Sequence, residues 1–196
     1  MSLSTKQQNM EKRRSRLISM VMIMSLLVTT SSCRNEEPHL EVPALGGTYR
    51  GGIVFYLDTT GKHGLTASLN DQSTTYPWWN GSKVYTGATS VTNGLENTAS
   101  IIAALGNSGV FSSYAANFCR NYRGGGFTDW FLPSKDQLNM LYSKKTIVGG
   151  FTSDLYWTST EASIESAWVQ SFENGDQFIH SQSDGDNIHT RAIRAF

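Results

Sequence analysis

Charged residues, cysteine and proline are all scarce in this chain. Of its 196 residues, 16% are charged, two are cysteine and four are proline. Two cysteines exclude a disulfide-dense scaffold and a Cys-rich zinc site. Basic and acidic side chains number 16 each, so no positive excess exists to neutralise phosphates, which argues against a nucleic-acid partner. The low charged fraction also excludes a solvated, disordered chain.

A hydrophobic run long enough to span a membrane is also absent. The apolar stretch Leu17–Val28 has 12 residues, whereas a spanning helix needs about 20. A basic cluster that ends at Arg16 precedes this stretch, and small residues follow it. This order is typical of a secretory signal peptide, which we assign to residues 1–32. Met10 is an alternative start, because Met10-Glu-Lys-Arg-Arg also makes a suitable basic region.

The signal peptide ends in Thr29-Thr-Ser-Ser-Cys33, which resembles a bacterial lipobox. In a lipobox the chain is cut before the cysteine, and its thiol carries a diacylglyceryl group. The usual motif has Leu three residues before the cysteine, where this chain has Thr30. The resemblance implies that Cys33 is lipidated and anchors the protein in a membrane. Ordinary signal cleavage, with Cys33 incidental, remains the alternative.

Residues 33–46 read as the lipidated cysteine and an extended tether. The segment is polar and proline-punctuated, without a hydrophobic period. Its acidic pair Glu36-Glu37 resembles the surface-export signal of some Gram-negative lipoproteins, which implies the outer membrane or cell surface of a Gram-negative bacterium. Five basic residues and one acidic residue precede Cys33, so the remainder has 11 basic and 15 acidic residues and a net charge of −4. This acidic balance further disfavours nucleic acid.

Residues 47–196 carry the signals of one folded domain. All five tryptophans lie here, and β-rich runs come first and last, with helical patterns between them. Runs of strands, then helices, then strands predict an α+β fold. We expect two or three helices on a small antiparallel sheet, with the N-terminal and C-terminal strands adjacent. Asn97 and Ser112 are the expected caps of two helices, and Ser134 begins a capping box with Gln137.

Four segments, taken in order, resemble a known family. They are Gly51-Gly-Ile-Val-Phe55, Thr128-Asp-Trp-Phe-Leu-Pro133, Tyr156-Trp-Thr-Ser-Thr-Glu161 and Arg191-Ala-Ile-Arg194. Together they are similar to domain of unknown function 1566, the Lcl C-terminal-domain-like family. This resemblance implies a C-type-lectin-like fold, related to that of formylglycine-generating enzyme, and an exported or surface protein. Phe131 stands where the family often has Arg.

The same segments hold the candidate structural residues. Trp130 and Trp157 are interpreted mainly as core anchors. Asp129 follows a glycine-rich turn, where its carboxylate can hold the loop in shape. Two arginines, Arg191 and Arg194, lie three apart on a strand and therefore point to opposite faces. An inward-facing arginine needs a carboxylate, for which the candidates are Glu161 and Asp129.

Recognisable catalytic motifs are missing. The chain has no Gly-x-Ser-x-Gly elbow, no His-Glu-x-x-His and no phosphate-binding Gly-x-x-x-x-Gly-Lys. Cys119 is a candidate nucleophile, with His180 or His189 as its general base. However, Cys119 lies on the apolar face of a predicted helix. The sequence therefore predicts no enzyme, no cofactor and no metal site. Calcium remains an open alternative, because oxygen ligands occur in two turns, at Asn174, Asp176, Asp184, Asp186 and Asn187.

The candidate ligand site is the polar loop of residues 70–95, where Trp78, Trp79, Asn80 and Tyr85 combine aromatic rings with an amide. A core role for at least one of the two tryptophans is the alternative. The acidic charge fits a neutral glycan or a protein better than a sulfated polysaccharide. The leading hypothesis is thus a non-catalytic glycan-binding or protein-binding lipoprotein. Its rivals are a structural envelope module and an enzyme of the formylglycine-generating type. Ligand identity and oligomeric state stay open.

Overall fold

A computed structural model describes residues 42–106 and 113–196. Within these ranges the protein is α+β, as predicted, with two four-stranded sheets and four helices. The predicted signal peptide, Cys33, most of the tether and the predicted cap Ser112 lie outside the described residues. The strands are β1 (Thr48–Tyr49), β2 (Gly52–Leu57), β3 (Gly64–Ala67), β4 (Leu155–Ser163), β5 (Ser166–Ser171), β6 (Gln177–Ser181), β7 (Ile188–His189) and β8 (Ile193–Ala195).

The prediction of a single small antiparallel sheet is wrong. One sheet has the order β1-β2-β3-β8, and the other has the order β6-β5-β4-β7. The C-terminal β8 joins the N-terminal hairpin through β3, so β3 separates it from the first predicted strand, β2. The final segment of the chain forms two separate strands. Its first part, β7, pairs in parallel with β4, and its second part crosses to the other sheet.

The helices are α1 (Gly94–Leu105), α2 (Ala115–Asn121), α3 (Lys135–Ser143) and α4 (Lys145–Val148). The predicted capping box of α3 is confirmed, since Ser134 and Gln137 satisfy each other's backbone donors. The predicted cap of α1 is wrong. Asn93 caps this helix, and Asn97 lies inside it, where its amide bonds the Ser90 carbonyl at 2.6 Å.

Strand β4 separates two hydrophobic clusters. Successive residues of a strand point to opposite faces, so Trp157 enters one cluster and Tyr156 the other. The first cluster also holds Trp78 and Trp130, and helices α1 and α2 contribute to it. The second holds Phe172 and the inner face of α3. Strand β4 is therefore buried on both faces, and the long loop of residues 70–95 forms hydrogen bonds to it.

The glycines of the first family-like segment permit a close backbone contact. Gly51 has φ +85°, and a Cβ there would lie 2.6 Å from the Gly124 carbonyl oxygen. A Cβ on Gly52 would lie 2.4 Å from the Ala67 carbonyl oxygen and 3.0 Å from the Trp130 ring. Only residues without a side chain fit these distances. The glycine pair therefore brings the β2 hairpin against the segment that carries Trp130.

Candidate functional site

Two of the four predicted ligand residues hold the long loop against the core. Trp78 has no exposed surface, and its indole Nε1–H donates to the Thr158 carbonyl at 2.7 Å. Asn80 is also fully buried, and its amide donates to the Leu105 carbonyl at 2.7 Å, at the C-terminal end of α1. These two side chains therefore present no exposed surface to a ligand in this structure. Both residues anchor the loop to backbone carbonyls, and Asn80 thereby supplies a partner to a carbonyl at the C-terminal end of α1, where helical carbonyls lack one.

Trp79, the neighbour of both anchors, lines a surface cavity of about 260 Å³. We call this the loop cavity. Its other lining residues are Lys83 from the same loop, Glu165 from the β4–β5 turn, and Ser181 and Ser183 at the end of β6. The long loop and the second sheet thus meet at one polar depression, although their residues are distant in sequence.

Trp79 is only 9% exposed and belongs to the first hydrophobic cluster, and its buried Nε1–H has no hydrogen-bond acceptor among the described residues. The free-energy cost of leaving a buried donor unpaired is about 1–3 kcal/mol. Such a group in a folded protein calls for an explanation, and a ligand that supplies an acceptor is one. Trp79 therefore differs from Trp78, Trp130 and Trp157, whose indole N–H groups all donate to backbone carbonyls.

Two side-chain pairs form the polar walls of the loop cavity. Lys83 donates a hydrogen bond to Glu165 Oε1, and both side chains are more than half exposed. The hydrogen bond and then the positive charge of Lys83 lower the pKa of the Glu165 carboxyl below its ordinary 4.5. On the opposite wall, the hydroxyls of Ser181 and Ser183 lie 2.9 Å apart and bond each other.

Tyr85, the fourth predicted ligand residue, is 60% exposed and is not part of the cavity lining. The residues next to it are held by Glu161, whose side chain is almost fully buried. Glu161 Oε2 accepts hydrogen bonds from Thr86 N, Thr86 Oγ1 and Gly87 N at 2.9–3.1 Å. Glu161 therefore fixes the loop segment that follows Lys83, and of the two carboxylates suggested as arginine partners this one bonds Thr86 and Gly87 instead.

Arg194 pairs with Asp129, the other carboxylate that the sequence suggested. Arg194 Nε donates to Asp129 Oδ1, and the guanidinium lies 3.8 Å from the centre of the Phe127 ring. Arg194 is buried, whereas the Asp129 side chain is half exposed. This pair ties β8 to the segment before Trp130, so two of the family-like segments meet here.

Arg191 is bound by a residue that sequence reasoning missed. Its Nε donates to Asp71 Oδ1 at 2.6 Å, and its terminal nitrogens donate to backbone carbonyls that include Ser68 O at 2.9 Å. Asp71 also contacts His189 Nδ1 at 2.7 Å and the Tyr156 hydroxyl at 3.0 Å. The nearly buried Asp71 carboxylate thus forms hydrogen bonds with three side chains, those of Arg191, His189 and Tyr156. The only sequence signal was an acidic residue in a polar loop, which does not identify its partners.

The other side chains that the sequence singled out, Trp130, Trp157 and Cys119, are buried in the core. Trp130 and Trp157 are fully buried, and their indoles bond Gly124 O at 3.1 Å and Tyr76 O at 3.2 Å. Cys119 is also fully buried. Burial, and secondarily the negative charge of Asp71, raise the pKa of its thiol well above the ordinary value. This environment opposes formation of the thiolate that a nucleophile needs.

The turns considered for calcium contain internal hydrogen bonds. The Asn174 amide donates to Asp176 at 2.7 Å, and Asp184 pairs with His180 at 2.9 Å. In residues 42–106 and 113–196, no cluster of three or more His, Cys, Asp or Glu side chains is arranged to hold a metal ion. None of the helices described in these ranges is both long and apolar enough to cross a bilayer.

A second cavity, also of about 260 Å³, is lined by Lys145, Thr146, residues 149–153 and Phe172. The Lys145 ammonium donates to the Phe172 carbonyl. This cavity holds none of the predicted ligand residues. It therefore provides a comparison site on the same molecule.

Comparisons with known proteins add no functional assignment. No protein-family model matches the chain, and no curated protein matches it. The functional argument therefore rests on the residues and their geometry.

Proposed function

We propose that the protein is a lipid-anchored cell-envelope protein whose C-terminal domain, residues 47–196, is C-type-lectin-like and binds a glycan or protein ligand without catalysis. The sequence supports the anchor through the signal-like leader and Cys33. The loop cavity supports the binding role, since it is lined by an ion pair, two hydroxyls and Trp79, whose buried indole N–H has no acceptor among the described residues. Trp79 carries the proposal, because it unites the predicted ligand loop with this cavity.

The lining of the cavity favours binding over chemistry. Its five residues include no histidine or cysteine, and its serine hydroxyls bond each other instead of a base. Nucleophilic catalysis requires a nucleophile within hydrogen-bond reach of a general base. The buried Cys119 thiol also gives no support to the alternative of a formylglycine-generating type of enzyme.

A structural or protein-interaction role is the second candidate, and one feature favours it. Strand β6 is the edge of the second sheet, and it exposes 39% of Phe178 and 54% of Ile179. Edge strands with exposed apolar side chains are suited to pairing with another chain. A protein ligand identified in the binding test below would therefore direct attention to β6.

Ligand binding is expected to depend on the loop cavity. The full-length protein in detergent is applied to a glycan array and to a panel of extracellular-matrix proteins, together with Lys83→Ala. We expect specific binding that weakens about tenfold or more in the variant, since Lys83 supplies one wall. Lys62→Ala, at an exposed turn remote in sequence, is the matched control and is expected to bind normally. Equal binding by both variants would exclude the loop cavity as the site.

Membrane attachment is expected to depend on Cys33. Expression of the full chain in a Gram-negative host should give a membrane-bound product whose N-terminal residue is Cys33 carrying a lipid mass. Cys33→Ala should remove the lipid mass and release the protein into the soluble envelope fraction. Cys119→Ala is the control, because it removes the other cysteine. If the product begins at Cys33 but carries no lipid mass, the anchor proposal is wrong and the protein is secreted instead.

A further inference from the structure

We propose that the loop cavity binds a single neutral sugar ring. This inference rests on the proposed ligand-binding function and narrows its ligand class. The supporting observations are the cavity volume, the balance of charge on its walls, and the unpaired N–H of Trp79. Each bears on a different property of the ligand.

The volume limits the size of the ligand. At about 260 Å³, the cavity lies below the roughly 300–1,000 Å³ typical of pockets for drug-sized molecules. One pyranose ring suits such a space, and a longer glycan would extend from it into solvent. The cavity is also open at the surface, formed by a loop and two turns, so a terminal residue of a glycan has access to it.

The Lys83–Glu165 ion pair favours a ligand without net charge. Lys83 and Glu165 neutralise each other, so the cavity offers neither a free cation for an acidic ligand nor a free anion for a basic one. An acidic sugar bound at Lys83 would also face the Glu165 carboxylate. The hydrogen bond and the charge of Lys83 lower the pKa of Glu165 below its ordinary value, which favours the ionised carboxylate.

The remaining hydrogen-bonding capacity matches hydroxyl groups. A Lys ammonium has three donors, and Lys83 uses one of them for Glu165. A carboxylate has two acceptor oxygens, and Glu165 uses Oε1 for Lys83. Adjacent donor and acceptor groups are complementary to a vicinal diol, since each hydroxyl both donates and accepts. The Ser181 and Ser183 hydroxyls add the same mixed character on the other wall.

Trp79 supplies the remaining contact. Trp79 lines the cavity, and its buried Nε1–H lacks an acceptor among the residues described. A sugar hydroxyl or ring oxygen would provide that acceptor after a small shift of the ring. Trp79 also belongs to the first hydrophobic cluster, which holds the residue in place beside the cavity. The role proposed for Trp79 is therefore that of a hydrogen-bond donor to the sugar.

Titration of the full-length protein with monosaccharides tests the inference. The probes are glucose, galactose, mannose and N-acetylglucosamine, against glucuronic acid and glucosamine, with binding measured by calorimetry. We expect at least one neutral sugar to bind about tenfold or more tightly than both charged probes.

Three variants locate the site. Trp79→Phe keeps an aromatic ring but removes the N–H donor, and should weaken binding of the neutral sugar about tenfold. Lys83→Met and Glu165→Gln each leave the partner charge unpaired and should shift preference, toward the basic probe and the acidic probe respectively. Glu173→Gln and Thr146→Ala, at an exposed turn and at the second cavity, are the controls and should bind as the wild type does. The Lys83 and Glu165 variants remain informative if Trp79→Phe does not fold.

The outcomes separate this inference from the broader proposal. Binding of charged sugars only, lost in Lys83→Met, would leave the ligand-binding function standing and overturn the neutral-sugar assignment. Neutral-sugar binding that is lost in Thr146→Ala but kept in Trp79→Phe would place the site in the second cavity and also overturn it. Failure of every sugar probe, combined with binding to a protein on the panel, would overturn it in favour of a protein ligand. Failure of all probes and panels would refute both.

Discussion

Replacing Asp71 with alanine is expected to lower the free energy of unfolding by about 3–5 kcal/mol, the typical cost of removing one partner of a buried ion pair. The Asp71 carboxylate accepts from Arg191 Nε at 2.6 Å and contacts His189 Nδ1 at 2.7 Å. The Tyr156 hydroxyl donates to it at 3.0 Å. Arg191 has no exposed surface, so its charge would remain buried without a counter-ion. Urea unfolding followed by tryptophan fluorescence measures the change.

Two variants control for this prediction. Asp71→Asn keeps an acceptor oxygen but loses the charge, so we expect a smaller loss of stability than with alanine. Asp184→Ala removes the partner of His180 at a half-exposed position, where an ion pair contributes at most about 1 kcal/mol. Equal effects of Asp71→Ala and Asp184→Ala would show that the Asp71 cluster does not stabilise the fold.

Features with a local cause could be predicted from the sequence. The capping box of α3 depends on Ser134 and Gln137, three residues apart, and it formed as predicted. The Asn174-Gly175 turn connects β5 and β6, and Gly175 has φ +91°, which a glycine tolerates. These elements depend on short-range hydrogen bonds and on backbone sterics. The α+β class followed from their order along the chain.

Long-range pairings could not be predicted in the same way. Asp71 and Arg191 are 120 residues apart, and nothing in a polar loop distinguishes this aspartate from others. The parallel pairing of β7 with β4 likewise depends on where the chain returns after β6. The predicted neighbours of the C-terminal strand were wrong for that reason.

The long loop shows the same limit at the scale of single residues. Trp78 and Trp79 are adjacent and chemically identical, and the loop has no period that assigns one of them to the core. Their difference comes from a distant acceptor: Thr158 O on β4 lies 2.7 Å from Trp78 Nε1, whereas Trp79 Nε1 has no acceptor in the described chain. The sequence could identify the segment but not which of the two indole N–H groups would find a backbone acceptor.

Replacing Glu161 with alanine is expected to lower both stability and sugar affinity. Oε2 of this buried carboxylate accepts from Thr86 N, Thr86 Oγ1 and Gly87 N. Hydrogen bonds to a charged group contribute about 1.5–3 kcal/mol, and we expect a loss of unfolding free energy of that size. Because Lys83 lies three residues before Thr86, release of this segment should also move one wall of the loop cavity. Urea unfolding and calorimetry with the neutral sugar measure the two effects.

Glu161→Gln separates the hydrogen bonds from the charge. The three shortest bonds converge on one oxygen at 2.9–3.1 Å, so an amide oxygen in that position can accept them all. We therefore expect Glu161→Gln to retain most of the stability and the full sugar affinity. Thr86→Val, which removes only the hydroxyl donor, should fall between the two. If Glu161→Ala bound the sugar normally well below its unfolding temperature, the cavity wall would not depend on this carboxylate. Lys83 would then be positioned by its pairing with Glu165 alone.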